Sequence, residues 1–364
     1  MINRITIENF KSLKKINADT NNLNLLTGLN GMGKSSFIQM LLLLMQSDNL
    51  EKRVIDLNGN LIDIGLGRDA LYQFSSTDFI EFGLSFDEFE FKWKLNYQTN
   101  KDKLTAETGY TSEQMQYFRN QTNKFQFISA ERIGSQDLYD ASSVIVTDKK
   151  HIGTSGEYAA YYLNVFGSEY KVKEILRHKD AIANTLLTQV NAWLGEISPG
   201  ILVNTKYISE INKVILDYQF TLEFGKTNSF KSRNVGFGIT YVLPVILSLL
   251  TAEEGKIIII ENPESHIHPK GQAKLGKLMA LAASLGAQLF IETHSDHILN
   301  GIRVAVKEQC IDMSKVNILY FDKETTDAEQ YSKITQIKVD KNGTLSDYPK
   351  DFLDEWSNQL SKLI

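Results

Sequence analysis

Apolar residues in the first fifty positions fall into three patterns. In RITIENF, residues 4–10, they alternate, with Ile5 and Ile7 on one face, the period of a half-buried strand. LNLLTG, residues 23–28, is a short apolar run ending in glycine. GKSSFIQMLLLLMQ, residues 33–46, is apolar on most sides, which predicts a buried helix. Residues 51–98 read as strands and turns, with DFIEFGLSF and EFEFKWKLNYQ meeting at Asp87-Glu88 as an antiparallel hairpin. The polar stretch 99–124 has few apolar anchors and predicts a surface excursion, after which KFQFISAER resumes a strand. GEYAAYYLNVF and residues 170–197 have a helical pattern that Pro199-Gly200 stops. Two or three strands follow to about residue 230, and residues 237–251 form an apolar helix containing Pro244. KIIII is a strand buried on both faces, as in a parallel sheet. GQAKLGKLMALAASLG and SDHILNGIRVAVKE are helices on either side of the strand AQLFIETHS. The tail carries the strands VNILYFD and KITQIKVD, an Asn342-Gly343 turn and a terminal helix. No internal repeat occurs, and heptads are not sustained long enough for a coiled-coil arm.

The strand endings change the picture most. GLNGMGKS, Gly28 to Ser35, has the spacing G-x-x-x-x-G-K-S, follows a strand and opens a helix, which is the setting a phosphate-binding loop requires. Glycines let backbone N–H groups approach phosphate oxygens, Lys34 neutralises the β and γ phosphates, and the Ser35 hydroxyl reaches Mg²⁺. The expected nucleotide contacts are Gly28, Asn30, Gly31, Met32, Gly33, Lys34, Ser35 and Ser36. A buried strand that delivers a carboxylate at its C-terminal end sits where α/β sheets bind ligands, so Glu261 of IIIIE is the expected second holder of Mg²⁺. His294, at the end of IETHS, is expected near the γ-phosphate. RNVGFGIT places Asn234, Gly236 and Gly238 before a helix, a second anion-binding N-terminus.

Bulk properties exclude several classes. With 364 residues, 42% hydrophobic and 23% charged, the chain is an ordinary globular one. A net charge of −5 gives no global attraction to nucleic acid. One cysteine, Cys310, excludes an internal disulfide framework and fits a reducing cytoplasm. MINRITIENF is no signal peptide, and MLLLLM and YVLPVILSLL are too short to span a bilayer, so no membrane partner is expected.

In this order the motifs resemble the ABC-type ATPase heads of the SMC and overcoming-lysogenization-defect (OLD) families: GLNGMGKS, NVGFG as a divergent signature, IIIIENPESHIHP as the magnesium strand with its following loop, and ETHSDH with its switch histidine. DKNGTLSDYPKDFLDEW is similar to a small domain of unknown function that ends some bacterial ATPases of this kind. The resemblance implies an α/β, ABC-type P-loop ATPase head with a mixed central sheet, an antiparallel β lobe and a helical insert. The implied division is an N-terminal ATPase lobe over residues 1–150, an insert over 151–232, a C-terminal lobe over 233–325 and a small extension over 326–364. It further implies a homodimer or higher homo-oligomer in which two heads enclose ATP and Mg²⁺. Each nucleotide would lie between the Gly28–Ser35 loop of one subunit and the Gly236–Gly238 turn of the other.

The chain departs from that pattern in three ways. It has no long coiled coil, it leaves no room after ETHSDH for the nuclease domain of OLD proteins, and it carries Asn262 where the family keeps a catalytic glutamate. A neutral amide orients water but does not accept its proton. Glu264 is the nearest carboxylate that could replace the base, with capping of the following loop as the equal alternative. Gln73 and Gln136 are the candidates for the glutamine that bridges Mg²⁺ to the second lobe, and Arg132 either reaches the site or makes a surface or inter-lobe ion pair. By analogy, a stand-alone head of this type is the slow ATPase switch or sensor of a separate effector, a nuclease or toxin of anti-phage defence. A second reading is a DNA-repair or DNA-end-binding ATPase, with DNA held through a partner or a local basic patch drawn from Lys101, Lys103, Lys124, Lys149, Lys150, Arg177 and Lys179. A third, with His266, His268, His294, His297 and Asp296 around zinc, is a metal hydrolase.

Overall fold

Alternation in RITIENF puts Ile5 and Ile7 on one face of a strand, Arg4–Phe10, that hydrogen-bonds on both sides. Ile5 lies opposite Ala18 and Leu84, and Ile7 opposite Ile16 and Phe82, all of them buried. The computed structural model describes residues 1–47, 53–349, 352 and 359–363. The chain divides into two units: residues 1–125, 313–340 and 344–364 form the first, and 126–312 with 341–343 the second.

The first unit contains a six-stranded antiparallel sheet built on that strand. The hairpin predicted at Asp87-Glu88 is formed by Phe79–Ser85 and Glu90–Asn96, with Phe82 opposite Trp93 and Leu84 opposite Phe91. Phe91, Trp93 and Phe118 pack together with ring centroids 5.4–5.8 Å apart. Phe118 comes from the helix Ser112–Thr122, capped by Thr111, in the polar stretch that was expected to be a surface excursion. Few apolar anchors suffice there because Met115 and Phe118 are fully buried. The strand Leu23–Gly28, buried along its whole length, runs parallel to Val316–Thr325, which pairs antiparallel with Gln330–Ile337. The helix Lys34–Gln46 buries most of its sides, as its apolar content predicts. The terminal helix expected after residue 350 falls largely outside the described residues.

In the second unit, Ile257–Glu261 runs parallel to Gln288–Glu292, and Ile258, Ile259 and Ile260 have no exposed surface. A smaller antiparallel sheet holds Ile201–Ile208, Lys213–Phe220 and Phe230–Lys231. The helical pattern over 170–197 is realised only in Leu186–Ile197. Residues 170–185 fold back instead, because the Val172 N–H donates to Asn184 O and the Leu186 N–H to Tyr170 O, and Trp193 donates its indole N–H to Leu176 O. The helices Pro269–Ser284 and Asp296–Lys307 follow the two parallel strands. They approach so closely that a Cβ on Gly301 would lie 2.1 Å from Ala273 O, and one on Gly276 would lie 2.4 Å from Ile298 O.

That contact decides the sign of a substitution. Alanine is the better helix former by about 1 kcal/mol. At Gly301 the added methyl collides with backbone, and overpacking of this kind costs about 1–3 kcal/mol. Gly301→Ala is expected to lower stability in chemical unfolding, and a variant as stable as wild type or more so would refute the close helix contact.

Candidate functional site

The phosphate-type loop of the first unit is shaped by three glycines with positive φ: Gly28 at +133°, Gly31 at +76° and Gly33 at +97°. Two of them are also pinned by neighbours. A Cβ on Gly28 would sit 2.1 Å from Phe321 O of the adjoining strand, and one on Gly33 would meet the hydroxyls of Ser332 and Ser12 at 2.5 and 2.9 Å. Lys34 is 3% exposed and lies back across the loop, donating from Nζ to Gly28 O at 2.9 Å and Leu29 O at 2.8 Å. The helix it opens has no acidic residue in its first turn, so the positive end of its dipole is not neutralised from within. Asn30, Gly31 and Ser35 are exposed, while Met32, Gly33 and Ser36 are half-buried. Beside Gly31 is a hollow of about 320 Å³ lined by Lys11, Arg68, Tyr72, Gln73, Lys323 and Tyr331 among others. Its lining carries three cations and no carboxylate. Burial lowers the Lys11 pKa, partly offset by Asp69. Gln73, one of the two glutamines singled out in the sequence, is on this wall.

In the second unit the strand Ile257–Glu261 ends in a short network. Glu261 accepts a hydrogen bond at Oε2 from the Ala130 N–H, at 3.0 Å. Burial raises its pKa, while the Ala130 N–H and the Arg132 charge pull it back. Asn262 adopts φ +43° and donates its N–H to Glu292 O at 2.8 Å. Its side-chain Oδ1 is buried with no hydrogen-bond partner among the described residues. Glu264 is tied at both oxygens, accepting from the Thr293 hydroxyl and from the His294 N–H, each at 2.8 Å. It thereby joins the loop after Glu261 to the loop that carries His294, whose side chain is exposed.

The remaining histidines of these loops have separate surroundings. His266 packs edge-on against Phe237 and Tyr241, His268 accepts the Lys270 N–H at the start of its helix, and His297 lies 3.5 Å from Asp296. Among the described residues no group of three or more His, Cys, Asp or Glu side chains is placed to hold a metal ion, so nothing there supports the zinc arrangement. The oxygen donors proposed for Mg²⁺, the Ser35 hydroxyl and the Glu261 carboxylate, are the hard ligands that this ion takes.

Gly236 caps the helix Phe237–Leu250, and a Cβ there would meet no atom within 4 Å. Gly238 differs: a Cβ would lie 2.1 Å from His266 O. The second glycine is thus required by the chain's own packing, and only Gly236 has open space above it. Asn234 is exposed in the turn just before it. Gln136 has its main-chain groups engaged by the Tyr139 and Ser232 hydroxyls. The sequence reading left Arg132 between a site role and an ion pair. It is buried and makes no carboxylate ion pair among the described residues, facing main-chain carbonyls instead. No residue pattern signals such contacts, since their partners are backbone atoms.

Three family models match parts of the chain. Residues 1–70 match one described as "AAA ATPase domain", residues 155–300 one described as "AAA domain, putative AbiEii toxin, Type IV TA system", and residues 311–363 one described as a protein of unknown function. A stretch of 66 residues is 32% identical to an uncharacterized protein of Methanocaldococcus jannaschii, covering 18% of this chain and 8% of that protein. Among solved structures, an SMC head bound to the C-winged helix domain of ScpA matches with a TM-score of 0.57 at 11% identity, covering 93% of this chain and 98% of that one. The Pyrococcus furiosus SMC head with an extended coiled coil, bound to the C-terminal domain of ScpA, matches with a TM-score of 0.55 at 10% identity over 100% and 99%. At such identity the likeness is one of fold, and that fold is the one of the SMC head domains.

The two bonds to Glu264 generate a stability prediction. Glu264→Ala strands the buried Thr293 hydroxyl, which costs about 1–3 kcal/mol, and also removes the surface bond to the His294 N–H. Glu264→Gln keeps a carbonyl acceptor and is expected to lose less. Equal unfolding midpoints for wild type and Glu264→Ala would remove Glu264 from this connecting role.

Proposed function

We propose that this chain is an ATP-binding head that closes as a homodimer around ATP, hydrolyses it slowly and serves as the switch for a separate effector. The observation that carries the proposal is the glycine-shaped loop with Lys34 folded across the start of an uncapped, acid-free helix. Such an N-terminus attracts phosphate. On ATP binding, Lys34 exchanges its two carbonyl acceptors for phosphate oxygens, and the loop N–H groups complete the cradle. The cationic hollow beside Gly31, with its two tyrosine rings, suits the sugar and base. Ser35 and Glu261 are the residues that would hold Mg²⁺, which would supply charge neutralisation at the phosphate oxygens.

Hydrolysis transfers the γ-phosphoryl group to water, and the water's proton must leave. Asn262 is positioned by its left-handed backbone but offers only an amide. Loss of a general base lowers a rate about 10²- to 10⁴-fold, whereas positioning and charge neutralisation remain. A head of this kind holds ATP longer than it cleaves it, which suits a switch. Glu264, engaged at both oxygens, serves better as the tie to the His294 loop than as the base. The family model over residues 155–300, described by a toxin and a Type IV toxin–antitoxin system, supports a toxin–antitoxin setting, and from it we infer a separate effector of toxin or nuclease type in phage defence. In the dimer, the exposed Gly236 faces the partner's nucleotide.

Two measurements follow. Lys34→Ala is expected to weaken ATP binding roughly 10- to 100-fold, the worth of lost charged hydrogen bonds of about 1.5–3 kcal/mol. A folded variant with wild-type affinity would sink the loop assignment. Asn262→Glu is expected to speed turnover, less than fully, because glutamate in a left-handed conformation costs about 1–2 kcal/mol that asparagine largely avoids. Fast wild-type turnover, or none gained by Asn262→Glu, would place the base elsewhere.

A further inference from the structure

Arg132 is a buried cation that makes no ion pair with a carboxylate among the described residues, an expensive placement that a neutral side chain would avoid. Its compensation comes from three main-chain carbonyls, one ring and the more distant charges of Glu264 and Glu261. Nη1 donates to Ser129 O at 3.1 Å and to Glu261 O at 2.7 Å, and Nη2 donates to Asn262 O at 2.6 Å. The guanidinium carbon lies 4.8 Å from the centre of the Tyr241 ring, a cation–π distance. The Tyr241 hydroxyl donates to Ala130 O at 3.3 Å. Nε is buried with no partner among the described residues. Burial lowers the Arg132 pKa to about 10, so the group stays charged at neutral pH.

The geometry of these bonds has a specific effect. The carbonyl of Glu261 belongs to the peptide plane before Asn262, and the carbonyl of Asn262 belongs to the plane after it. Holding both with one planar fork fixes the two planes that meet at the Asn262 Cα. That fixes φ and ψ there, in the left-handed region that asparagine tolerates, and so it fixes the direction of the Asn262 side chain. The same turn supplies the Ala130 N–H that holds the Glu261 carboxylate. We propose that Arg132 is the positioning residue of the Glu261–Asn262 pair, clamping their backbone while seated on Tyr241 of the helix whose first turn carries Gly238. Lysine cannot substitute, since a single tetrahedral nitrogen lacks the fork.

The inference rests on the ATP-binding reading for its consequence, but not for its geometry, and the test separates the two. The variants are Arg132→Lys, Arg132→Met and Tyr241→Leu. Without nucleotide, hydrogen exchange over residues 258–266 should be faster in Arg132→Met and Arg132→Lys, most at the Asn262 amide. With nucleotide, ATP affinity in the absence of Mg²⁺ should stay within about threefold of wild type, because Lys34 and its loop are untouched. The Mg²⁺ concentration for half-maximal stimulation should rise, and kcat fall with KM unchanged, each by about 10- to 100-fold, the usual effect of removing a group that orients a metal ligand. Tyr241→Leu should fall between wild type and Arg132→Lys. Arg132→Lys keeps the charge and serves as the test if Arg132→Met does not fold. Wild-type exchange and wild-type Mg²⁺ dependence in either folded arginine variant overturn the proposal. A wild-type protein that binds no ATP overturns the nucleotide reading, and the exchange experiment then still decides the clamp.

Discussion

The close parallel pairing of Leu23–Gly28 with Val316–Thr325 is the constraint on which the first unit's chemistry depends. Because Phe321 O occupies the space where a side chain at position 28 would begin, the strand has to end in glycine. Once it does, the backbone is released into the positive-φ turns that lead to Lys34. Backbone packing, and not only ligand chemistry, thus sets the glycine at the head of the loop. Gly238 repeats the principle in the second unit, where the His266 carbonyl occupies the equivalent space.

In the second unit the organising material is polar main chain. Two apolar strands run side by side and end at Glu261 and Glu292, and the chain leaves both through loops held by hydrogen bonds. Asn262 bonds back to Glu292, Glu264 reaches Thr293 and His294, and Ala130 reaches Glu261. Those to Thr293 and Glu261 satisfy groups that burial would otherwise leave stranded, while the His294 N–H lies at the surface. They also make the loops rigid without filling them with apolar side chains. Two non-glycine residues, Asn262 and His266, are held at positive φ in that frame, a region that asparagine and histidine visit more readily than most residues.

Much of this architecture was legible because its signals are contiguous in the sequence. KIIII is buried on both faces as its unbroken apolar run demands, and the glycine spacing of GLNGMGKS matches three forced backbone turns. The hairpin at Asp87-Glu88 follows from alternation alone. The reading went astray where side chains compete with helix formation. Residues 170–185 carry a helical pattern, yet the ends of that segment bond to each other, and His178 N–H finds the Gln189 side chain. The polar stretch before residue 124 hid a helix because two large buried residues can anchor what a count of apolar positions rejects. Arg132 stayed ambiguous for a different reason: its partners are carbonyls, which every residue has, so no residue type announces them.

The two parallel strands of the first unit also order events in time. Leu23 lies opposite Val316, so nearly three hundred residues of chain must be synthesised between them. At roughly 5–20 residues per second, the ribosome needs about a quarter of a minute to a minute to cover that interval. Throughout it, the neighbour whose carbonyl packs on Gly28 does not exist. A ribosome-bound chain halted before Val316 would accordingly lack the carbonyl that excludes a side chain at position 28.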